Sequence, residues 1–337
     1  MAKKNTGSRG SGKAAADSRR IEPMGGLVVK NTGSAYRVRL ADGREIDCRI
    51  KGNFRIKGIR TTNPVAVGDH VEIALCDSET HYITSISPRK NYIIRRASNL
   101  SKESHILASN LDQAILVVSI VDPVTPTTFI DRFLATAEAY NVPARLLINK
   151  SDLWGAEERE YASALQYLYD SIGYPTILVS AHSGDGMAAL REWTAGRITL
   201  LAGNSGVGKS SIINVLAPDA DLRTGAISDL HHTGMHTTTF SEMVDLPYGG
   251  ELIDIPGVKG FGVIDFAPEE VSHFFPELFR IGRGCRYDNC KHTGEPGCAV
   301  VPAVESSLIS QSRYASYLSI LEEAMENAGS DKYRKPF

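Results

Sequence analysis

The sequence predicts an α/β protein: a doubly wound, mostly parallel sheet built around a phosphate-binding loop, with a small β-barrel before it and a metal-binding, helical module after it. Three observations carry that prediction. The apolar run Ile198–Ala202 leads into Gly203-Asn204-Ser205-Gly206-Val207-Gly208-Lys209-Ser210, followed by an amphipathic stretch through Ser211, Ile212, Ile213, Val215 and Leu216. G-x-x-x-x-G-K-S between a strand and a helix is the phosphate-loop pattern. Five short alternating runs crowd residues 25–86, and Cys285, Cys290, His292 and Cys298 fall within 14 residues.

Composition sets the frame. A chain of 337 residues exceeds one typical domain, so two or three are expected. Hydrophobic content of 42% and charged content of 23% are ordinary for packed cores. A net charge of −2 excludes a wholly basic nucleic-acid binder, so any such role must rest on local patches. Five cysteines, three of them clustered, favour a metal in a reducing compartment over a disulfide framework. No apolar run reaches membrane-spanning length, and the basic N-terminus has no hydrophobic core of a signal peptide. A soluble cytoplasmic protein with no membrane partner is expected.

Residues 1–20 set Lys3, Lys4, Arg9, Lys13, Arg19 and Arg20 against Asp17 alone. Such a segment cannot bury a core and is expected to be disordered; RNA-phosphate binding and a solubilising extension are equally open to it. Residues 21–90 are expected to form a five-stranded barrel of the oligonucleotide/oligosaccharide-binding (OB) type. Its strands are Leu27–Val29, Tyr36–Leu40, Glu45–Ile50, His70–Ala74 and Tyr82–Ile86, with Asp42-Gly43 as a hairpin turn. Between the third and fourth strands, Lys51 to Arg60 carries four cations around Phe54. That loop reads either as an RNA surface or as a solvated loop with Phe54 tucked into the barrel. Cys48 and Cys76 read as small buried residues.

A basic connector, Pro88 to Arg96, precedes the nucleotide domain expected over 91–265. Ala114–Val118 is a continuously apolar strand, as in a sheet covered on both faces. Thr127 or Thr128 is expected to cap a helix carrying Phe129, Ile130, Phe133, Leu134 and Ala137. Then come strand Arg145–Ile148, a helix from Glu157 to Ser171 stopped by Gly173, strand Thr176–Val179, the phosphate-loop strand and Glu251–Ile253. Alternating β and α units with sites at strand ends describe a doubly wound sheet.

The phosphate loop turns successive N–H groups toward phosphate oxygens, and the helix start adds a favourable dipole. Lys209 reaches the β- and γ-phosphates and Ser210 ligates Mg²⁺, with Ser211 beside it. Asn149-Lys150-Ser151-Asp152 fits N-K-x-D at a strand end. A carboxylate there pairs with the two N–H donors of guanine that adenine lacks, so Asp152 selects the base. Asn149 supports the loop and Lys150 packs over the ring. Ser180-Ala181 lies one unit later, where a backbone N–H can meet the guanine oxygen. Asp254 with Pro256-Gly257 matches D-x-x-G, the Asp holding Mg²⁺ through water and Gly257 sensing the γ-phosphate.

The magnesium shell needs a switch threonine from His236-Thr237-Thr238-Thr239. Thr238 is the choice, with either neighbour open. After Gly257, Val258 stands where GTPases commonly place a water-orienting Gln, so slow intrinsic hydrolysis is expected. His236 is the nearest catalytic candidate, with a structural histidine as the alternative. The motifs run N-K-x-D, S-A, phosphate loop, threonines, D-x-x-G. That order is a circular permutation of the usual one, tolerated because domain termini lie close together. Downstream, over 266–337, Cys285, Cys290, His292 and Cys298 supply four ligands for one closed, structural Zn²⁺ site. Arg280, Arg283, Arg286 and Lys291 surround them, which suits phosphate contact. Val304–Met325 reads as helical.

From Gly25 to the C-terminal helix, these motifs and their order resemble the ribosome small-subunit-dependent GTPase A family (RsgA, also called YjeQ). The resemblance implies a GTP/GDP cycle with Mg²⁺, one zinc ion, and a monomeric factor acting late in assembly. Its partner would be the 30S ribosomal subunit and its rRNA, with the factor leaving on GTP hydrolysis that the subunit stimulates. The chain departs from the family's usual pattern at Met235, Ile255 and Lys259-Gly260.

Overall fold

A computed structural model describes residues 24–33, 35–50, 64–75, 81–96, 104–220, 241–255 and 266–332. Several expectations fall outside them: the basic tail, the cationic loop with Phe54, Cys76, His236, Thr237, Thr238, Thr239, Pro256, Gly257 and Val258.

The five expected barrel strands are present as β1 (Met24–Asn31), β2 (Tyr36–Leu40), β3 (Glu45–Ile50), β4 (His70–Ala74) and β5 (His81–Ile86). Their pairing runs β1-β2-β3-β5-β4 and returns to β1, with β3 and β5 parallel. That is a closed, OB-like barrel, and closure removes the unpaired edges that a five-stranded sheet would expose. Alternate residues point inward: Val28, Tyr36, Val38, Leu40, Cys48, Val71, Ile73 and Ile83 form the barrel core. Cys48 is buried, as expected.

The basic connector differs from expectation. Tyr92–Arg96 is a strand, β6, paired antiparallel with β7 (Ser104–Ser109). Its Ile93 and Ile94 are buried, so apolar burial sets the local structure there despite the flanking cations. Arg89 is held against Asp69 of the barrel at 2.6 Å, and the Ser109 hydroxyl donates to the same carboxylate at 2.6 Å. The pair is almost fully buried and ties barrel to hairpin.

The nucleotide domain is a sheet of β8 (Gln113–Ser119), β9 (Ala144–Asn149), β10 (Thr176–Leu178), β11 (Ile198–Ala202), β12 (Glu242–Asp245) and β13 (Glu251–Asp254). Its order is β10-β9-β8-β11-β13-β12, parallel except for β12. One face buries α1 (Thr127–Ala139) and α2 (Ala156–Ser171) through Phe129, Phe133, Leu134, Leu165 and Tyr169. The other buries α3 (Met187–Thr194) and α4 (Lys209–Leu216) through Met187, Leu190, Ile212 and Ile213. Helices on both faces explain why β8 is buried at every position. Thr127 and Thr128 do not cap α1: Pro126 occupies the cap position without a side-chain bond, and Thr127 is the first helical residue. Pro fixes the extended backbone that enters the helix, so no hydroxyl is needed to set the angle.

The barrel docks on the sheet's antiparallel edge. The Asn31 N–H donates to Ser241 O at 3.1 Å, Lys30 meets Glu242 at 2.8 Å, and Arg39 grips Asp245 with two bonds of 2.8 and 2.9 Å.

The C-terminal module contains α5 (Pro276–Gly282), the cysteine–histidine knuckle, α6 (Val300–Glu305) and α7 (Gln311–Lys332). The expected single helix over Val304–Met325 is two helices, broken at Ser307, whose φ is +59°. The break leaves Leu308 exposed and turns Tyr317, Ile320 and Leu321 into a core with Phe275, Leu278, Val300 and Ala135 of α1. At the joint, buried Arg313 of α7 donates to Asp131 of α1 at 2.8 Å and to Glu277 of α5 at 2.7 and 3.2 Å. Among the described residues no helix is long and apolar enough to cross a membrane.

Candidate functional site: a nucleotide cleft and a metal knuckle

The ends of β9, β10, β11 and β13 gather those sequence-predicted nucleotide-site residues that lie in the described segments. Gly203 begins the phosphate loop with φ +151°, and a Cβ there would sit 2.4 Å from the Val117 carbonyl of β8. Gly208 closes it with φ +96°, and a Cβ would come 2.3 Å from Asn149 Nδ2. Only glycine fits both places, because each combines a left-handed backbone with a close neighbour. Asn204, Ser205 and Gly206 form the outer rim, while Val207 is buried. Ser210 and Ser211 lie in the first turn of α4.

Lys209 is buried, and its ammonium donates to the carbonyls of Gly203 at 2.7 Å and Asn204 at 2.9 Å. Burial pushes its pKa down, and the nearby Asp254 partly restores it. Asp254 ends β13 with its Oδ1 buried and without a hydrogen-bond partner in the described structure. Burial raises that carboxyl's pKa, with Lys209 opposing. An orphaned carboxylate oxygen near Lys209 of the phosphate loop fits a hard, oxygen-liganded cation such as Mg²⁺.

Asn149 links the phosphate side to the base side. It is 2% exposed at the end of β9. Its Nδ2 donates to Val207 O of the phosphate loop at 2.8 Å, and its Oδ1 accepts from the Ala181 N–H at 3.2 Å. One side chain thus holds three loops that are far apart in sequence. Lys150 follows with φ +71°, and its ammonium donates to the Asp122 carbonyl. Ser151 and Asp152 form a 3-10 turn ending at Leu153. The fully buried Ser180 donates to Asp152 Oδ1 at 2.5 Å and accepts from the His182 and Ser183 N–H groups. The Ser180 hydrogen bond is the main cause that lowers the Asp152 pKa, keeping the carboxylate ionised and aimed.

Asn149, Lys150, Asp152, Ala181, Gly208 and Ser211 line a cavity of about 430 Å³. Leu153, His182 and Asn214 complete it, and none of the three was anticipated from the sequence. Asn214 stands four residues beyond Ser210 on α4, a helical spacing that places it on the cleft side and could have found it. The loop after β8 was also missed: it contributes the Asp122 carbonyl, and its Pro123 lies beside Gly206.

The second cluster is in the C-terminal module. One ligand atom from each of Cys285, Cys290, His292 and Cys298 lies within 4.8 Å of the others. His292 Nδ1 is 3.5 Å from Cys285 Sγ and 3.7 Å from Cys298 Sγ, so Nδ1 faces the thiols. Three sulfurs and one imidazole match the donor set of a closed tetrahedral zinc site. The α7 hydroxyls brace the knuckle: Tyr314 donates to His292 O at 2.6 Å and Tyr317 to Lys291 O at 2.5 Å. Glu295 accepts from the Lys291 and Thr293 N–H groups at 2.8 and 2.7 Å.

A phosphate loop, the Asn149–Asp152 turn and an orphaned acidic residue on a doubly wound sheet, in this rotated chain order, define a circularly permuted GTPase. The N-terminal barrel and the metal knuckle narrow the class further. The sequence matches the description "RsgA N-terminal domain" over residues 25–83 and "RsgA GTPase" over residues 86–264. It is 60% identical, over 93% of its length and all of the relative's, to the Small ribosomal subunit biogenesis GTPase RsgA of Porphyromonas gingivalis. It is 56% identical to the one from Bacteroides fragilis, again over 93% of this chain and the whole relative. YjeQ from Thermotoga maritima has a similar structure, with TM-score 0.70, 31% identity and coverage of 90% of this chain and 99% of that one. YloQ, a circularly permuted GTPase, superposes with TM-score 0.67 at 28% identity, covering 96% of this chain and 100% of that one. The chain belongs to the RsgA GTPase family, whose members act on a guanine nucleotide with Mg²⁺.

Proposed function

We propose that the chain is a cytoplasmic, monomeric factor that binds the small (30S) ribosomal subunit late in its maturation. It hydrolyses GTP to GDP and phosphate when the subunit stimulates it, and is released by that step. The observation that carries the reading is Asn149, which fastens the guanine-selecting turn to the phosphate loop. Identity of 60% to a relative named as a small ribosomal subunit biogenesis GTPase supports the choice of partner.

In this reading three parts divide the work. A barrel over 21–90 and a zinc-bearing helical part over 266–337 bind rRNA, on either side of the nucleotide domain at 91–265. Asp152 pairs with the guanine N–H donors while Ser180 holds it in place, and Lys150 covers the ring. Lys209 exchanges its two loop carbonyls for phosphate oxygens. Ser210, Thr238 and Asp254 would hold Mg²⁺, which would supply positive charge to the β- and γ-phosphates. Gly257 senses the γ-phosphate, and His236 is the candidate for positioning the attacking water that Val258 cannot orient. Cys285, Cys290, His292 and Cys298 hold one structural Zn²⁺.

The test is single-turnover GTP hydrolysis with and without saturating small subunits. The reading expects slow hydrolysis alone and strong acceleration by small subunits, not by large ones. Unaccelerated turnover would leave a nucleotide sensor instead. Equal affinity for ATP and GTP, unchanged in Asp152→Ala, would point to a different nucleotide enzyme.

A further inference from the structure

The C-terminal module holds a concave site that opens from the cysteine–histidine cluster, with Cys285, Cys290 and His292 at its floor and Glu269 on its rim. Its cavity measures about 360 Å³, within the range of roughly 300–1,000 Å³ usual for small-ligand sites. The end of α5 supplies one wall with Phe279 and Arg283, the knuckle supplies the facing wall with Tyr287, Asp288 and Asn289, and His273 borders them. Phe279 and Tyr287 are 43% and 46% exposed. Each carries a guanidinium over its ring, Arg283 on Phe279 and Arg286 on Tyr287, both 5.5 Å from the ring centre. His273 meets Phe279 edge-on at 4.9 Å. Among the described residues, Arg280, Arg283 and Arg286 enter no ion pair, whereas the neighbouring Lys291 pairs with Glu269 at 3.8 Å.

We propose that this cavity receives an unstacked base of a single-stranded RNA segment, with the flanking phosphates on Arg283 and Arg286. The inference rests on the small-subunit reading above and goes beyond phosphate contact to a base site. Three features select this occupant. Half-exposed aromatic rings offer a stacking platform, which any base can use. Guanidiniums without carboxylate partners suit a polyanion, and their stacking leaves the N–H edges free for phosphate. Asp288 and Asn289 place acceptors and donors at the wall of a concave site, which base edges need and a backbone contact does not. An A-form duplex buries its base faces in the stack and cannot fill the cavity.

The test uses the full-length, zinc-loaded protein and two probes: a fluorescent nine-nucleotide single-stranded RNA of mixed sequence, and purified small subunits with a non-hydrolysable GTP analogue. The double variant Phe279→Ala/Tyr287→Ala is expected to lose roughly 10- to 100-fold in affinity for the oligonucleotide, the scale of lost base stacking, and to bind subunits more weakly. Tyr287→Phe and Tyr167→Ala, the latter an exposed tyrosine of α2, are expected to stay within about two-fold. Zinc content and GTP affinity, measured alongside, report folding of each variant. Wild-type subunit binding retained by a zinc-loaded double variant overturns the base site while leaving the small-subunit reading intact. Weakened subunit binding with unchanged oligonucleotide affinity also overturns it, in favour of a protein partner. Equal affinity for the single strand and its duplex overturns it in favour of backbone contact alone. Failure of the unaltered protein to bind small subunits defeats the functional reading itself.

Discussion

Arg313→Met tests the joint between the nucleotide domain and the C-terminal module. The wild-type guanidinium is 1% exposed and makes three hydrogen bonds to carboxylates that are themselves 0% and 2% exposed. It also lies 4.5 Å from the Phe275 ring centre. Methionine fills most of the volume but leaves Asp131 and Glu277 facing each other in the interior with no cation. Breaking a buried ion pair from one side costs about 3–5 kcal/mol. In a cooperative unit of this size that lowers the melting temperature by about 10 °C. The compensated triple variant Arg313→Met/Glu277→Leu/Asp131→Asn removes the stranded charges. The amide oxygen it introduces on α1 can still accept the Tyr169 hydroxyl, which in the wild type donates to Asp131 at 2.9 Å. The triple variant is expected within about 2 kcal/mol of wild type, since apolar replacements of buried ion pairs are often neutral. Thermal and urea unfolding, followed by tryptophan fluorescence and calorimetry, measure both. A single variant melting within 2 °C of wild type would refute the reasoning, as would a triple variant as unstable as the single.

Other expectations follow from the cleft and the knuckle. Gly208→Ala combines a left-handed backbone with a 2.3 Å approach to Asn149 Nδ2, so GTP affinity measured by calorimetry should fall at least ~10-fold while the barrel stays folded. The Asp152 pKa is lowered mainly by the Ser180 hydroxyl. Its folded pKa lies below the ordinary value, so the ionised form, which the proposed guanine contact requires, persists above that depressed pKa and is lost as pH falls through it. Ser180→Ala should move this loss of GTP affinity to higher pH, as a titration carried from neutral pH down past the ordinary aspartate value of 3.8 would record; an unshifted profile contradicts the assigned cause. Removal of zinc by a strong chelator should release the thiols of Cys285, Cys290 and Cys298 to a thiol reagent and loosen α7 at Tyr314 and Tyr317, visible as faster amide exchange there. The nucleotide domain should still bind GTP, because the two clusters that cover its sheet do not include the knuckle, which meets α1 through the separate C-terminal core.

Much of the cleft was legible before any coordinates. Motifs such as Gly203–Ser210 and Asn149–Asp152 are contiguous, and their chemistry depends on backbone conformations that few residue types can adopt. Strand periodicity likewise marked all five barrel strands. Three local readings failed for a common reason. Tyr92–Arg96 looked like a charged connector, Thr127 and Thr128 like helix caps, and Val304–Met325 like one helix. In each case long-range burial or a single backbone angle, rather than local composition, sets the outcome.

Sequence alone therefore determined the nucleotide class, the permuted order of its motifs and the donor set of the metal site, because each is a short-range pattern with a direct chemical requirement. Only the tertiary structure decided how these parts are held together. The Asn149 bridge, the buried Asp131–Arg313–Glu277 joint, the docking of the barrel on β12 and the cavity between Phe279 and Tyr287 all join residues distant in the chain. Hydrogen bonds and burial between such residues arise only when the sheet and helices pack, so no local pattern could announce them.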